Sequence, residues 1–126
     1  MSSRPLFTDA AIELPTPSYD ENHGAILQFL GVVRRLEEEK PLEGIRYTCY
    51  LPMAERVAQD MIERGEKEFG KHKLIFQHRL GFVPVAEPSV LVQVGTPHSR
   101  KAYELCQFYL KQVKTQLPIW KEPVFQ

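Results

Sequence analysis

The stretch SVLVQVGTPHSRKAYELCQFYLKQVKTQLPIWKE, residues 89–122, decides the fold. Ser89–Gly95 (SVLVQVG) reads as a buried strand. Thr96-Pro97 then opens a helix, because threonine is a good N-cap and proline fits the first helical position. Ala102, Tyr103, Cys106, Tyr109, Leu110, Val113 and Leu117 form one apolar stripe at helical spacing. Pro118 disfavours helical geometry at Leu117, so the helix is expected to end there.

Working outward, Gly24–Val33 (GAILQFLGVV) reads as a strand, with Gly31 as a bulge or a point of close approach. Residues 34–44 (RRLEEEKPLEG) read as a charged connecting loop. Gly44–Tyr50 alternates, with Ile45, Tyr47 and Cys49 on one face and Arg46, Thr48 and Tyr50 on the other, which predicts a second strand. Met53–Phe69 carries Ala54, Val57, Ala58, Met61, Ile62 and Phe69 at helical spacing, with Pro52 in the first turn and Gly70 as the stop. Lys73–Arg79 reads as a third strand and Gly81–Pro84 as a turn. Residues 1–22 read as an irregular or edge segment, and residues 119–126 as a short apolar-rich tail. The order strand, strand, helix, strand, strand, helix predicts an α+β fold with a mainly antiparallel sheet and two main helices.

The chain has 126 residues, the size of one domain, and 43% of them are hydrophobic. Sixteen Lys and Arg balance sixteen Asp and Glu, which removes the global basic field that drives nonspecific nucleic-acid binding. No apolar run approaches the ~20 residues that span a bilayer, and the first residues lack a signal-peptide core, so a soluble cytoplasmic protein is expected. Cys49 and Cys106 form no CxxC and read as two buried thiols. His23, His72, His78 and His98 show no metal-ligand spacing, and no metal or other cofactor is expected.

Several segments could carry chemistry. TPHSRK (96–101) sets His98, Ser99, Arg100 and Lys101 at a helix N-terminus, where free N–H groups and the dipole favour an anion; a solvated helix start is the bland reading. Lys111 and Lys114 at the other end are explained by the dipole alone. Lys121 follows a rigid proline, and a lysine beside another cation can serve as acid, base or nucleophile near neutral pH. Arg34 and Arg35 end the first strand, placed either to grip phosphate or to face the neighbouring glutamates. His78-Arg79 is read as a structural strand end, and Trp120 as core packing before ring stacking.

Taken together, GAILQFLGVVR (24–34), YTCYLPMAE (47–55), HRLGFVPVAEPSVLVQV (78–94) and HSRKAYELCQFYLKQVKTQLPIWKE (98–122) resemble the large, catalytic subunit of molybdopterin synthase. The last segment, with Lys114 leading to Pro118-Ile119-Trp120-Lys121 after a His-led helix, is the specific one. The resemblance covers residues 24–122 and implies an α/β hammerhead-like fold and a homodimer. It further implies a heterotetramer with two small ubiquitin-like sulfur carriers, each ending in a Gly-Gly thiocarboxylate. The implied substrate is cyclic pyranopterin monophosphate, to which two sulfurs are transferred to make the molybdopterin dithiolene.

Carried across, Lys114 and Lys121 fall on the family's catalytic lysines, Arg34 on a pocket arginine and His98 on a pocket histidine. Val32, Val33, Ser99, Arg100 and Glu122 fall in the same substrate region, parts of which come from the second subunit. Three features depart from the family pattern. Ser99 stands between His98 and Arg100, turning the arginine roughly 100° around the helix. Thr48 replaces a carboxylate, and only five residues follow Lys121. A noncatalytic relative that binds the carrier without turnover is the competing expectation, and an unrelated small-ligand or nucleic-acid-binding domain is the third.

Overall fold

The computed structural model describes residues 4–126. In chain order it contains β1 (Phe7–Thr8), β2 (Ala25–Val32), β3 (Leu36–Glu37), β4 (Lys40–Cys49), α1 (Leu51–Phe69), β5 (Lys73–Arg79), β6 (Gly81–Pro84), β7 (Pro88–Thr96), α2 (Ser99–Thr115) and β8 (Ile119–Phe125). One sheet runs β1-β5-β7-β2, and only the β1–β5 pairing is parallel. In the second sheet β4 is the centre, paired antiparallel with β6 and β8 and forming a hairpin with β3. The α+β architecture with mainly antiparallel pairing is as the sequence predicts.

The first sheet and both helices enclose the main core. Strand alternation turns Val90, Val92 and Val94 of β7 inward, where they join Phe76 of β5. Ala54, Ala58 and Met61 of α1 and Ala102, Leu105, Cys106 and Tyr109 of α2 cover them. A smaller core of Val33, Leu42, Ile45, Tyr47 and Val83 lies under the second sheet, and Leu80 and Ile119 pack against both. Cys49 and Cys106 are unpaired thiols, the first half-buried and the second buried.

At Gly65 of α1 the backbone lies close against Tyr109 of α2. A Cβ there would lie 2.1 Å from the Tyr109 hydroxyl, which is itself 2.6 Å from His72 Nε2. Tyr109 is fully buried, so its ring has no empty space to enter. Gly65→Ala is expected to destabilise the protein by about 1–3 kcal/mol through overpacking. Urea unfolding checks this, and an unchanged midpoint would contradict the close approach.

Six details differ from the sequence reading. Residues 36–41 form a hairpin rather than a loop, turning at Glu38 and Glu39 with φ of 50° and 66°. Residues 81–84 are strand β6 rather than a turn, and the chain turns out of β5 at their first residue, Gly81, with φ 85°. Helix α2 starts at Ser99 with His98 as N-cap, because Thr96 stays in β7 and its hydroxyl donates to the His98 carbonyl at 2.6 Å. The helix ends at Thr115, two residues before Leu117, which is nonetheless buried. Tyr103 is 65% exposed, while Leu105 and Gln112 are buried, so the stripe is centred elsewhere. The tail is strand β8, and Trp120 on it is 78% exposed rather than packed in the core.

Candidate active site

A cleft of about 430 Å³ opens where the two sheets meet the C-terminal end of α2. That volume is within the ordinary range of ligand pockets, about 300–1,000 Å³. Each wall follows from local structure. Strand β2 ends in a register shift between Gly31 and Val32, and the chain leaves it with Val32, Val33 and Arg34 along one side. A Cβ on Gly31 would lie 2.6 Å from Val90 Cγ1, so a side chain there would require Val90 to shift, and glycine allows the close approach to β7 without it. The last turns of α2 supply Leu110, Val113 and Lys114. Past Pro118, β8 pairs with β4 so that Lys121 stands opposite Tyr47.

Strand alternation then sorts the side chains. Ile119 and Lys121 of β8 and Ile45 and Tyr47 of β4 line the cleft. Trp120 and Glu122 fall on the outer face, where Glu122 Oε1 lies 3.8 Å from Arg46 Nε. Arg34, Lys114 and Lys121 are exposed at the rim, and none forms an ion pair with a described residue.

The floor is polar but buried. His78 is 5% exposed, and its Nδ1 lies 2.8 Å from the Arg79 carbonyl. With the proton on Nδ1 donated to that oxygen, Nε2 is left as an acceptor. The Tyr47 ring sits edge-on to the imidazole at 5.0 Å between centroids. The Ser89 hydroxyl donates to the Gly31 carbonyl at 3.4 Å. Burial pushes the Tyr47 phenol up, a hydrogen bond with Ser89 works against it, and the Glu37 charge adds a lesser upward push.

Burial also pushes His78 below its ordinary value of 6.5. The folded state therefore binds this proton more weakly than the unfolded chain does. Stability from this site is fully present above pH 6.5 and is lost as pH falls through the window below it. We expect urea midpoints to drop between pH 7.5 and pH 5, and His78→Asn to drop less. Equal slopes in the two proteins would contradict a buried neutral imidazole.

Of the residues singled out from the sequence, Val32, Val33, Arg34, Lys114 and Lys121 come together in this one cleft. Glu122 does not, because the strand period turns it to the outer face of β8, and neither do His98, Ser99 and Arg100. These three are exposed at the N-terminal end of α2, and Arg100 Nε lies 4.0 Å from Glu104. Lys114 is sixteen positions beyond the N-cap His98, about 24 Å at 1.5 Å per residue. Glu37, Tyr47, His78 and Ser89 line the cleft without having been singled out for it. Tyr47 carried a signal, its place on the inward face with Ile45. For the others, convergence is a matter of tertiary pairing. Among the described residues no group of three or more His, Cys, Asp or Glu could hold a metal ion.

A profile of the MoaE protein family matches residues 1–116. The molybdopterin synthase catalytic subunit of Synechococcus elongatus is 34% identical over 122 residues, spanning 96% of this chain and 72% of that one. The subunit of that name from Arabidopsis thaliana is 37% identical over 102 residues, 81% of this chain and 52% of the plant protein. The crystal structure of molybdopterin synthase from Staphylococcus aureus superposes with a TM-score of 0.80 at 27% identity, over 86% of this chain and 79% of that one. With the profile matching nearly the whole chain, and with relatives of this identity and coverage, the chain belongs to the MoaE family.

Proposed function

We propose that this chain, residues 1–126 acting as one domain, is the catalytic subunit of a molybdopterin synthase. It transfers sulfur from the thiocarboxylated C-terminus of a small ubiquitin-like carrier to cyclic pyranopterin monophosphate, and two transfers make the dithiolene. The observation that carries this reading is the cleft itself, in which Arg34, Lys114 and Lys121 meet around a buried polar floor. A neutral protein with a locally cationic cleft suits a small anionic substrate and an anionic thiocarboxylate tail. Arg34 is suited to grip phosphate through its planar fork. Lys121 and Lys114 are suited to hold the thiocarboxylate, move protons and stabilise the carboxylate left on the carrier.

The distance along α2 gives the second subunit a role. His98, Ser99 and Arg100 cannot reach Lys114 within one chain, so in this proposal they complete the cleft of the partner in a homodimer. Two carriers on that dimer make a heterotetramer. Glu122 lies on the outer face of β8, away from the cleft lining, and in this proposal it meets the carrier tail or the partner rather than the substrate. No described helix is long and apolar enough to cross a membrane, and we place the reaction in the cytoplasm.

The test is reconstitution of the purified protein with thiocarboxylated carrier and the cyclic pterin. Dithiolene product supports the proposal. A stable complex with the carrier and no product would instead make the chain a noncatalytic relative, the outcome that Thr48 and Ser99 would then explain.

A further inference from the structure

One lining residue has the wrong charge for an anion pocket. Glu37 is the only carboxylate among the described residues that line the cleft, together with Arg34, Lys114 and Lys121. It is half-buried, and it forms no ion pair with any of these cations. Its charge still reaches the Tyr47 phenol inside the cleft. An internal ion pair is therefore not its purpose, and a carboxylate beside a bound phosphate would repel it.

The backbone holds Glu37 there against resistance. Glu37 pairs with Lys40 across a two-residue turn whose corners, Glu38 and Glu39, are at φ 50° and 66°. Hairpin turns of this kind favour Asn-Gly, and two glutamates with left-handed backbone are strained. Strained backbone persists where the surroundings over-determine it, and functional sites are where it concentrates. The hairpin is short, with only Leu36–Pro41 and Glu37–Lys40 in register, so the position of Glu37 depends directly on this turn.

We propose that Glu37 orients the substrate: its carboxylate accepts N–H donors from the amino-pyrimidinone edge of the pterin, which directs the phosphate to Arg34 and the lysines. This rests on the reading of the cleft given above. The chemistry is complementary at both ends. A 2-amino group beside a ring N–H presents two parallel donors, the pattern a carboxylate accepts with both oxygens. The phosphate end accepts hydrogen bonds only, and the cations supply donors for it. A cleft lined by cations alone would take the anionic end in either sense of rotation. One carboxylate removes that ambiguity, and does so by penalising the wrong pose as well as favouring the right one.

Equilibrium binding of the cyclic pterin, followed by pterin fluorescence in the dimeric protein, tests this without needing turnover. Glu37→Ala and Glu37→Gln are expected to raise Kd by about 10- to 100-fold, the loss of a charge-assisted pair. A pterin with hydrogen in place of the 2-amino group should bind wild type more weakly, yet bind Glu37→Ala no more weakly than the parent compound does. Such non-additivity assigns the contact. Glu38→Asn/Glu39→Gly removes two charges while keeping Glu37 and the turn, and its Kd should stay within about twofold of wild type. Carrier affinity and thermal midpoint should be unchanged in the Glu37 variants.

Three results overturn the proposal: Glu37 variants within twofold of wild type, additive losses with the analogue, or an equal loss in the Glu38/Glu39 variant. If wild type binds the pterin but makes no dithiolene, the proposed activity fails while the binding comparisons still decide Glu37. If wild type does not bind it at all, both fall.

Discussion

Lys121→Ala is expected to lower the rate of sulfur transfer by about 10²- to 10⁴-fold while leaving the fold intact. The two halves of that expectation have separate causes. Lys121 is exposed on β8 and forms no ion pair with a described residue, so its ammonium carries no structural duty. Truncating such a side chain changes stability by within about 0.5 kcal/mol. Its location is what matters for rate. It enters the cleft opposite Tyr47, across from Lys114 at the end of α2 and Arg34 at the end of β2. A cation preorganised where negative charge moves from carrier sulfur to carrier carboxylate stabilises the transition state more than the ground state.

Lys114→Ala should behave similarly. The double variant should lose much less than the product of the single losses, as groups that act as a unit do. Single-turnover assays with thiocarboxylated carrier check this. Rates near wild type in both single variants would remove the lysines from the mechanism.

Gly44→Ala is expected to cost stability on a scale that Lys121→Ala does not, about 3 kcal/mol, the upper end for overpacking. Gly44 sits mid-strand in β4, paired with Pro84 of β6 on one side and Val124 of β8 on the other. A Cβ there would lie 2.3 Å from the Val83 carbonyl oxygen and 2.6 Å from Phe82 Cζ. The phenyl ring can swing, but a backbone carbonyl clamped in a sheet cannot move without breaking its neighbours' hydrogen bonds. Val83 is also fully buried, in the core that Ile45 and Tyr47 share. The same shift would displace the cleft wall, so substrate affinity should fall with stability. A lower urea midpoint with an unchanged m-value is the predicted result. A midpoint equal to wild type would mean that β4 and β6 are not held this closely.

What was legible in the sequence follows from how each element is stabilised. The two helices and strand β4 show their apolar faces through periodicity, and β7, buried along nearly its whole length, shows as a continuous apolar run. The 36–41 hairpin does not, because it lies at an exposed edge and turns on two glutamates, residues that carry no turn signal. Strands β6 and β8 are hidden by prolines at positions 84 and 123, which read as punctuation yet are tolerated where the ladder is short or at an edge. Trp120 read as core because it is large. The strand period sends it outward, since Lys121 beside it faces the cleft.

The site divides along the same line. Arg34 follows the end of β2 and Lys114 is in the last turn of α2, and element ends can be placed from sequence; Lys121 lies inside β8, three residues past Pro118. His78 and Ser89 reach the cleft only through the pairing of strands distant in the chain, which no local pattern encodes, and Glu37 reaches it through a local hairpin whose turn residues give no signal. The separation of His98 from Lys114 was implicit in the helix length. It is also the feature that makes one chain insufficient for the proposed site.

That insufficiency gives the most direct measurement of the proposal. Lys121→Ala and His98→Ala chains should each form dimers with little activity, then be mixed and allowed to exchange subunits. If each cleft takes its lysines from one chain and His98 from the other, every mixed dimer holds one intact site. Random exchange then restores about a quarter of wild-type sulfur transfer. If the mixture shows only the average of the two variants, the cleft does not draw on both subunits and the account is wrong.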